Sequence, residues 1–338
     1  MGITRRAATA AGGLGILVSG ILRRPVGAKT FDARSRVFPV VPLDLTAFSS
    51  APPNSPVRLL WIHHSCGGQW LAPQGPERDR PTPQCIYESH PNGGSLRPLL
   101  ARNGYDLHEA SYTSVIGERT DLFDWEPKFR EQMDRVLTTD DQDRVYDDGR
   151  RNQVVVFKSC FPNNVFVGEG SPPGNPRGPQ LTVANARAAL EALLPMFERH
   201  PEVLFVYVTA PPVAPFAPGD PLYRLIARRL RNRPTWSDTV RSSGPMARAF
   251  NDWVAGQGGW LASYRPRNVV VFDYYAMLTG TESDYARYLA DESDSHPSAE
   301  GNRRAAEAFV PFVNRAVRRA GVVTDTTDTT DVAEVATP

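Results

Sequence analysis

Short apolar runs alternate with longer stretches that carry a single apolar stripe, and this rhythm covers most of the chain. Val57–Ile62, Val154–Phe157, Val203–Val208 and Val269–Phe272 are compact runs rich in β-branched and aromatic residues, and Tyr105–Tyr112 is a more polar one. Such runs predict strands. Between them, Leu96–Leu100 resembles a helical turn, and Phe129, Met133, Val136 and Leu137 fall on one helical face. Val183–Phe197 has Ala186, Leu190, Leu193, Leu194 and Phe197 at helical spacing; Met246–Val254 is shorter. In Ala305–Val317, residues Ala305, Phe309, Phe312, Val313 and Ala316 form the last stripe. Apolar strands alternating with helices predict a parallel sheet covered on both faces, a three-layer α/β/α domain over residues 57–320.

Both ends depart from this rhythm. Residues 1–28 combine Thr4-Arg5-Arg6, an apolar run from Ala7 to Leu22 and the small-residue ending Val26-Gly27-Ala28. That order describes an export signal, and the paired arginines suggest the twin-arginine route. Arg23 and Arg24 interrupt the usual pattern, so an uncleaved anchor is the alternative, although the run falls short of the ~20 residues that span a bilayer. Residues 29–56 read as a linker or arm, and 321–338 as a disordered low-complexity tail. The expected location is therefore secreted or cell-surface, with membrane contact only through that first segment.

Composition adds exclusions. Of 338 residues, 38 are basic and 37 acidic, so the net charge of +1 gives no footprint for nucleic acid. Cys66, Cys85 and Cys160 are an odd count; in an oxidising compartment one pair and one leftover thiol would be expected.

Ligands in such sheets bind beyond the carboxyl ends of the strands. The first strand is followed by His63-His64-Ser65-Cys66-Gly67-Gly68, and the third by Lys158-Ser159-Cys160-Phe161-Pro162-Asn163-Asn164. Asp291-Glu292-Ser293-Asp294-Ser295-His296-Pro297 precedes the last helix. A hydrolytic serine needs a base, an acid that orients the base, and donors for the oxyanion, and all are represented. Taken alone, Ser65 is also a good helix cap and Cys66 a rival nucleophile. His63 and His64 lack a partner at zinc-ligand spacing, so no metal and no cofactor are expected.

In this order the residues resemble the SGNH (GDSL-type) hydrolase family of esterases and lipases. The resemblance rests on Ser65 after the first strand, Asn163 after the third, and "HPSAEGN" leading into an amphipathic helix. It implies a flavodoxin-like five-stranded parallel sheet and a serine esterase acting on a small-molecule, lipid or glycan ester. Ser65 would be the nucleophile, His296 the base and Asp294 the acid, with Asp291 as the alternative acid. The backbone N–H groups of Ser65 and Gly117 and the Asn163 amide would form the oxyanion hole. The family fold also makes the first and third strands neighbours, which would bring Cys66 towards Cys160. Three departures stand out: His64 replaces the family's acid before the serine, the third-strand motif reads C-F-P-N-N, and Ser293 occupies the acid position of D-x-x-H. The alternatives are a non-catalytic surface or glycan-binding protein on the same fold, and an O-acyltransferase.

Overall fold

A computed structural model describes residues 41–80, 85–215, 234–280, 286–291 and 293–324, with isolated positions 226, 228, 230 and 231. The expected export segment, six of the ten residues of the arginine-rich stretch 224–233 (RLIARRLRNR) and all but the start of the tail lie outside these residues. No helix among the described residues is long and apolar enough to cross a membrane.

Five parallel strands make the central sheet: β1 (Val57–Ile62), β2 (Tyr105–Ala110), β3 (Val154–Lys158), β4 (Leu204–Val208) and β5 (Val269–Phe272). Their spatial order is β2-β1-β3-β4-β5, the flavodoxin-like order. The register aligns Ile62 with Ala110 and Phe157, and Val208 with Phe272. β1 therefore ends level with its neighbours, and the loops after β1 and β3 open at the same edge. The order reverses between these two strands, which is where such sheets leave a crevice.

Strand alternation divides the core into two layers. Leu60, Ile62, Val155, Phe157, Phe205 and Tyr207 face one side. They pack on Phe129 of α3 (Trp125–Thr138), Leu190 of α4 (Val183–Glu191), Phe197 of α5 (Leu194–Phe197) and Phe250 of α6 (Trp236–Ala255). Leu59, Trp61, Val156, Val206 and Phe272 face the other side. There they meet Trp70 of α1 (Ser65–Leu71), Leu100 of α2 (Leu96–Arg102), Leu278 of α7 (Tyr274–Thr279) and Phe309 of α8 (Ala299–Arg319). Fully burying one such large apolar side chain is worth ~1.5–3 kcal/mol, so both helical layers are anchored by the same strands.

Two helices differ in extent from their apolar stripes. The expected 183–197 helix is split at Ala192-Leu193, just before Pro195, whose ring cannot continue the preceding hydrogen-bond ladder. The helix expected from Met246 begins ten residues earlier, at Trp236. Thr235 caps it by accepting from the Asp238 N–H, and the Asp238 carboxylate accepts from the Thr235 N–H. Such a capping box stabilises a helix start that the apolar stripe does not reveal.

Before β1, residues 41–56 lie along the domain. Asn314 of α8 donates to the Ser50 carbonyl at 2.8 Å, Arg318 donates to Ala51, and Leu45 is buried in the second core layer.

Candidate active site

Ser65 is the first residue of α1, directly after the two-residue turn that ends β1. His64 occupies the cap position, so Ser65 is not the helix cap that its residue type suggests. Its Oγ lies 2.9 Å from His296 Nε2. On the far side of the ring, His296 Nδ1 lies 2.7 Å from Asp294 Oδ1, which also accepts the His296 backbone N–H at 3.0 Å. With Nδ1 donating to the carboxylate, Nε2 is left bare towards the serine hydroxyl. Asp291 is elsewhere: its carboxylate accepts the Ser293 N–H and hydroxyl.

The Asp294–His296 geometry follows from local backbone. Asp294–Pro297 is a short strand paired antiparallel with Leu289–Asp291. Residues two apart on a strand share a face, so Asp294 and His296 project together. Between them, the buried Ser295 points the other way and accepts the Ala214 N–H at 2.9 Å, fixing the hairpin to the loop after β4. Phe161 approaches the His296 ring edge-on, with centroids 5.5 Å apart.

The two histidines before Ser65 have different duties. His64 stacks on Tyr112 at 3.6 Å, and its Nε2–H donates to the Gly117 carbonyl at 2.7 Å. Burial holds its pKa below the ordinary histidine range. It thus ties the end of β1 to the loop after β2. His63 is fully buried, with Nδ1 donating to the His64 carbonyl at 2.9 Å and Nε2 facing Glu109 at 3.2 Å. That same carbonyl accepts the N–H groups of Gly67 and Gly68, so His63 supports the first turn of α1.

Glu109 on β2 was not foreseen as part of the site, nor was Arg97 on α2. Arg97 reaches Glu109 with three hydrogen bonds of 2.7–3.0 Å, and Arg80 approaches to 3.7 Å. Burial pushes the Glu109 carboxyl up, but the His63 hydrogen bond and the Arg97 and Arg80 charges together outweigh it and hold the group at about 2. A buried charge anchored this way sits directly behind the residues that carry Ser65. No sequence motif marks it; its only signal is a glutamate at an inward position of a strand.

The expected oxyanion donors depart from expectation. Gly117 N–H donates to Ser114 Oγ at 2.8 Å and is not directed at Ser65. A Cβ at Gly117 would stand 2.1 Å from the Ser111 carbonyl, so glycine is required there for a tight turn. The Asn163 amide donates to Asp121 at 2.9 Å and to the Cys160 carbonyl at 3.2 Å, while its oxygen accepts the Leu122 N–H at 2.7 Å. Asn163 thereby joins the turn Phe161–Asn164 to the turn Leu122–Asp124. Asn164 is committed as well, to the carbonyls of Ala210 and Pro211 and to Asn251. Among the described residues, the Ser65 N–H has no assigned acceptor.

The "HPSAEGN" stretch is built for packing around His296. Ser298 caps α8 by accepting the Gly301 N–H, and Gly301 lets Tyr288 approach where a Cβ would meet its Cβ at 2.6 Å. Asn302 accepts from the Tyr274 hydroxyl and donates to the Asn92 carbonyl at 2.8 Å, closing the loop beside α1. A cavity of about 320 Å³ lined by Leu43, Val254, Tyr264 and Val269 includes none of these site residues. No cluster of three or more His, Cys, Asp or Glu suited to a metal ion occurs among the described residues.

No family model matches the chain, and no curated protein matches its sequence. Among solved structures it is similar to a carbohydrate esterase family 2 enzyme with a carbohydrate-binding domain from Corynascus thermopiles (Myceliophthora fergusii). The two are 15% identical with a TM-score of 0.35, over 82% of this chain and 69% of that one. A second similar structure is a carbohydrate esterase described as having divergent catalytic and non-catalytic binding functions in its active site. It is 14% identical, with a TM-score of 0.32 over 77% of this chain and 69% of that one.

Proposed function

We propose that the chain is a serine esterase that hydrolyses acyl or acetyl esters through an acyl-enzyme. The observation that carries this is the unbroken relay Ser65 Oγ–His296 Nε2 and His296 Nδ1–Asp294, at 2.9 and 2.7 Å. Ser65 attacks the ester carbonyl while His296 takes its proton. Asp294 holds the ring with Nε2 towards the serine and stabilises the positive charge that the ring acquires. The protonated ring then gives its proton to the leaving alkoxide, and water releases the acyl group by the reverse sequence.

The oxyanion would be met first by the Ser65 N–H. Asn163 supplies a second donor by giving up its longer bond, to the Cys160 carbonyl. Gly117 acts by holding His64 through its carbonyl rather than by donating. A small-molecule, lipid or glycan alcohol fits this chemistry, and export by the twin-arginine route accords with an extracellular ester as substrate.

A fluorophosphonate probe tests the reading. Wild-type protein is expected to be labelled and to hydrolyse a short-chain acyl ester, and Ser65→Ala to do neither while unfolding at the same urea concentration. Turnover by Ser65→Ala at the wild-type rate would reject Ser65 as nucleophile. The committed donors of Gly117 and Asn163 favour a second reading, a binding protein on the same fold. Wild-type protein that is folded but unlabelled would select it.

A further inference from the structure

The chain has three cysteines: Cys66 and Cys160 lie in the segments that follow β1 and β3, and the Cys85 carbonyl packs against Gly68 of α1. Cys66 follows Ser65 on α1 and is fully buried; Cys160 caps the turn Phe161–Asn164 and is half-buried. β1 and β3 pair with Ile62 level with Phe157, so Cys66 lies four residues past that register and Cys160 three. The geometry converges further. The two thiols are close enough that each is the largest influence on the other's ionisation. From below, the buried Lys158 ammonium approaches Cys160 Sγ at 3.9 Å. Cys85 is turned away towards the Tyr87 hydroxyl, at 3.5 Å.

We propose that Cys66 and Cys160 are an oxidation site, a thiol pair that peroxide converts to a disulfide joining the serine turn to the Asn163 turn. The pairing does not require Ser65 to be a nucleophile; only its effect on turnover rests on the esterase reading.

The two thiols are unequal in the way such a reaction needs. Cys160 is held below the ordinary thiol range by the neighbouring Cys66 thiol, with the Lys158 ammonium adding to it, whereas the same neighbour and burial push Cys66 up. The thiolate is the nucleophile in thiol oxidation. Half-buried Cys160 therefore attacks hydrogen peroxide: its sulfur bonds one oxygen, the O–O bond breaks, and the hydroxide released takes a proton to become water. The product is a sulfenic acid. Cys66 then gives up its proton, its sulfur attacks Cys160, and the S–O bond breaks to release a second water. Two thiols are oxidised and one peroxide is reduced to two waters.

Closing the bond draws the sulfurs to ~2.05 Å, well inside a sulfur hydrogen bond. The first turn of α1 must shift towards the Asn163 turn, and Ser65 moves with it relative to His296. A displacement of ~1 Å at a reacting group costs on the order of 10²-fold in rate.

The test uses the full chain, reduced and then treated with hydrogen peroxide. Free thiols counted after denaturation are expected to fall from three to one. The intact mass should drop by two hydrogens, and peptide mapping should join Cys66 to Cys160. Cys85→Ser should still form the bond, and Cys160→Ser should not. Ester turnover is expected to fall by at least ~10-fold on oxidation and to return with dithiothreitol. Retention of all three thiols, or a bond through Cys85, overturns the assignment. A Cys66–Cys160 bond without loss of turnover overturns the control of Ser65. If the reduced chain shows no turnover at all, the esterase reading fails, while the thiol count and mass still decide the pair.

Discussion

Replacing Glu109 with Gln probes the least visible part of the site. The carboxylate is 2% exposed and faces Arg97, His63 and Arg80. Its pKa of about 2 against an ordinary 4.5 means that the folded chain binds this proton far more weakly than the unfolded chain. At 1.36 kcal/mol per pKa unit, the difference corresponds to roughly 3 kcal/mol of stability. Removing one partner from a buried ion pair generally costs ~3–5 kcal/mol, which agrees in size. The sign follows from the depressed value: the contribution is complete above about pH 4.5 and is lost as pH falls towards 2. Urea unfolding of wild type and Glu109→Gln should therefore differ by roughly 3 kcal/mol near pH 7 and by about half of that near pH 3. A difference below ~1 kcal/mol at neutral pH, or one that does not narrow on acidification, would refute the account. Turnover should fall too, because His63 then loses the partner that steadies the carbonyl under α1.

Three further outcomes are expected. Asp294→Asn should lower kcat by ~10³-fold or more, by losing control of the His296 tautomer, while Asp291→Asn stays within about twofold of wild type; equal losses in the two would remove Asp294 from the relay. Gly117→Ala should destabilise the fold by ~1–3 kcal/mol in urea, since its Cβ would press on the Ser111 carbonyl; an unchanged midpoint would show that the turn yields freely. Asp273 is raised from 3.8 to about 6 by burial, so its charged form is a burden on the fold that is present above about pH 6 and disappears below about pH 4. Asp273→Asn should accordingly gain up to roughly 3 kcal/mol at neutral pH and nothing near pH 4, and a gain that is the same at both values would refute that origin.

The sheet was legible because both faces of every strand but the edge strand β2 are buried. Four of the five strands are nearly continuous apolar runs, and all five lie within two residues of their expected ends. Strand order was not legible from periodicity, which says nothing about neighbours; the family resemblance alone implied it. Helix limits were readable where an apolar stripe runs the whole length, and not at Trp236–Pro245, where capping by Thr235 and Asp238 replaces it. Within the site, Ser65, Asp294 and His296 could be found because the order of loops places them at one edge. Glu109 and Arg97 escaped notice because a charged residue on a strand or helix ordinarily faces water, and only the fold shows that these two face each other. Gly117 was misjudged for a related reason: whether a backbone N–H is available depends on the loop around it, here on Ser114.

The spacing of the acid shows what a motif stands for physically. The expected D-x-x-H pattern has an acid three residues before the histidine, and this chain offers Ser293 there. What the chemistry needs is a carboxylate that reaches Nδ1 and leaves Nε2 facing the serine. On an extended backbone, two residues suffice, because alternate side chains share a face. Asp294 also accepts the backbone N–H of His296, so both ends of the residue it orients are tied to one oxygen. The same logic accounts for His64, which stands where the SGNH pattern that the sequence resembles has an acid. At that position the loop after β2 must be held against the end of β1, and an imidazole N–H on the Gly117 carbonyl does this with its ring braced by Tyr112. Both departures from the family pattern therefore keep a geometric requirement while changing the residue that meets it. The expected oxyanion donors keep no such requirement at rest: the Asn163 amide is held by Asp121 and the Cys160 carbonyl, and on the esterase reading proposed above the longer of these bonds, to Cys160, is the one a substrate would displace.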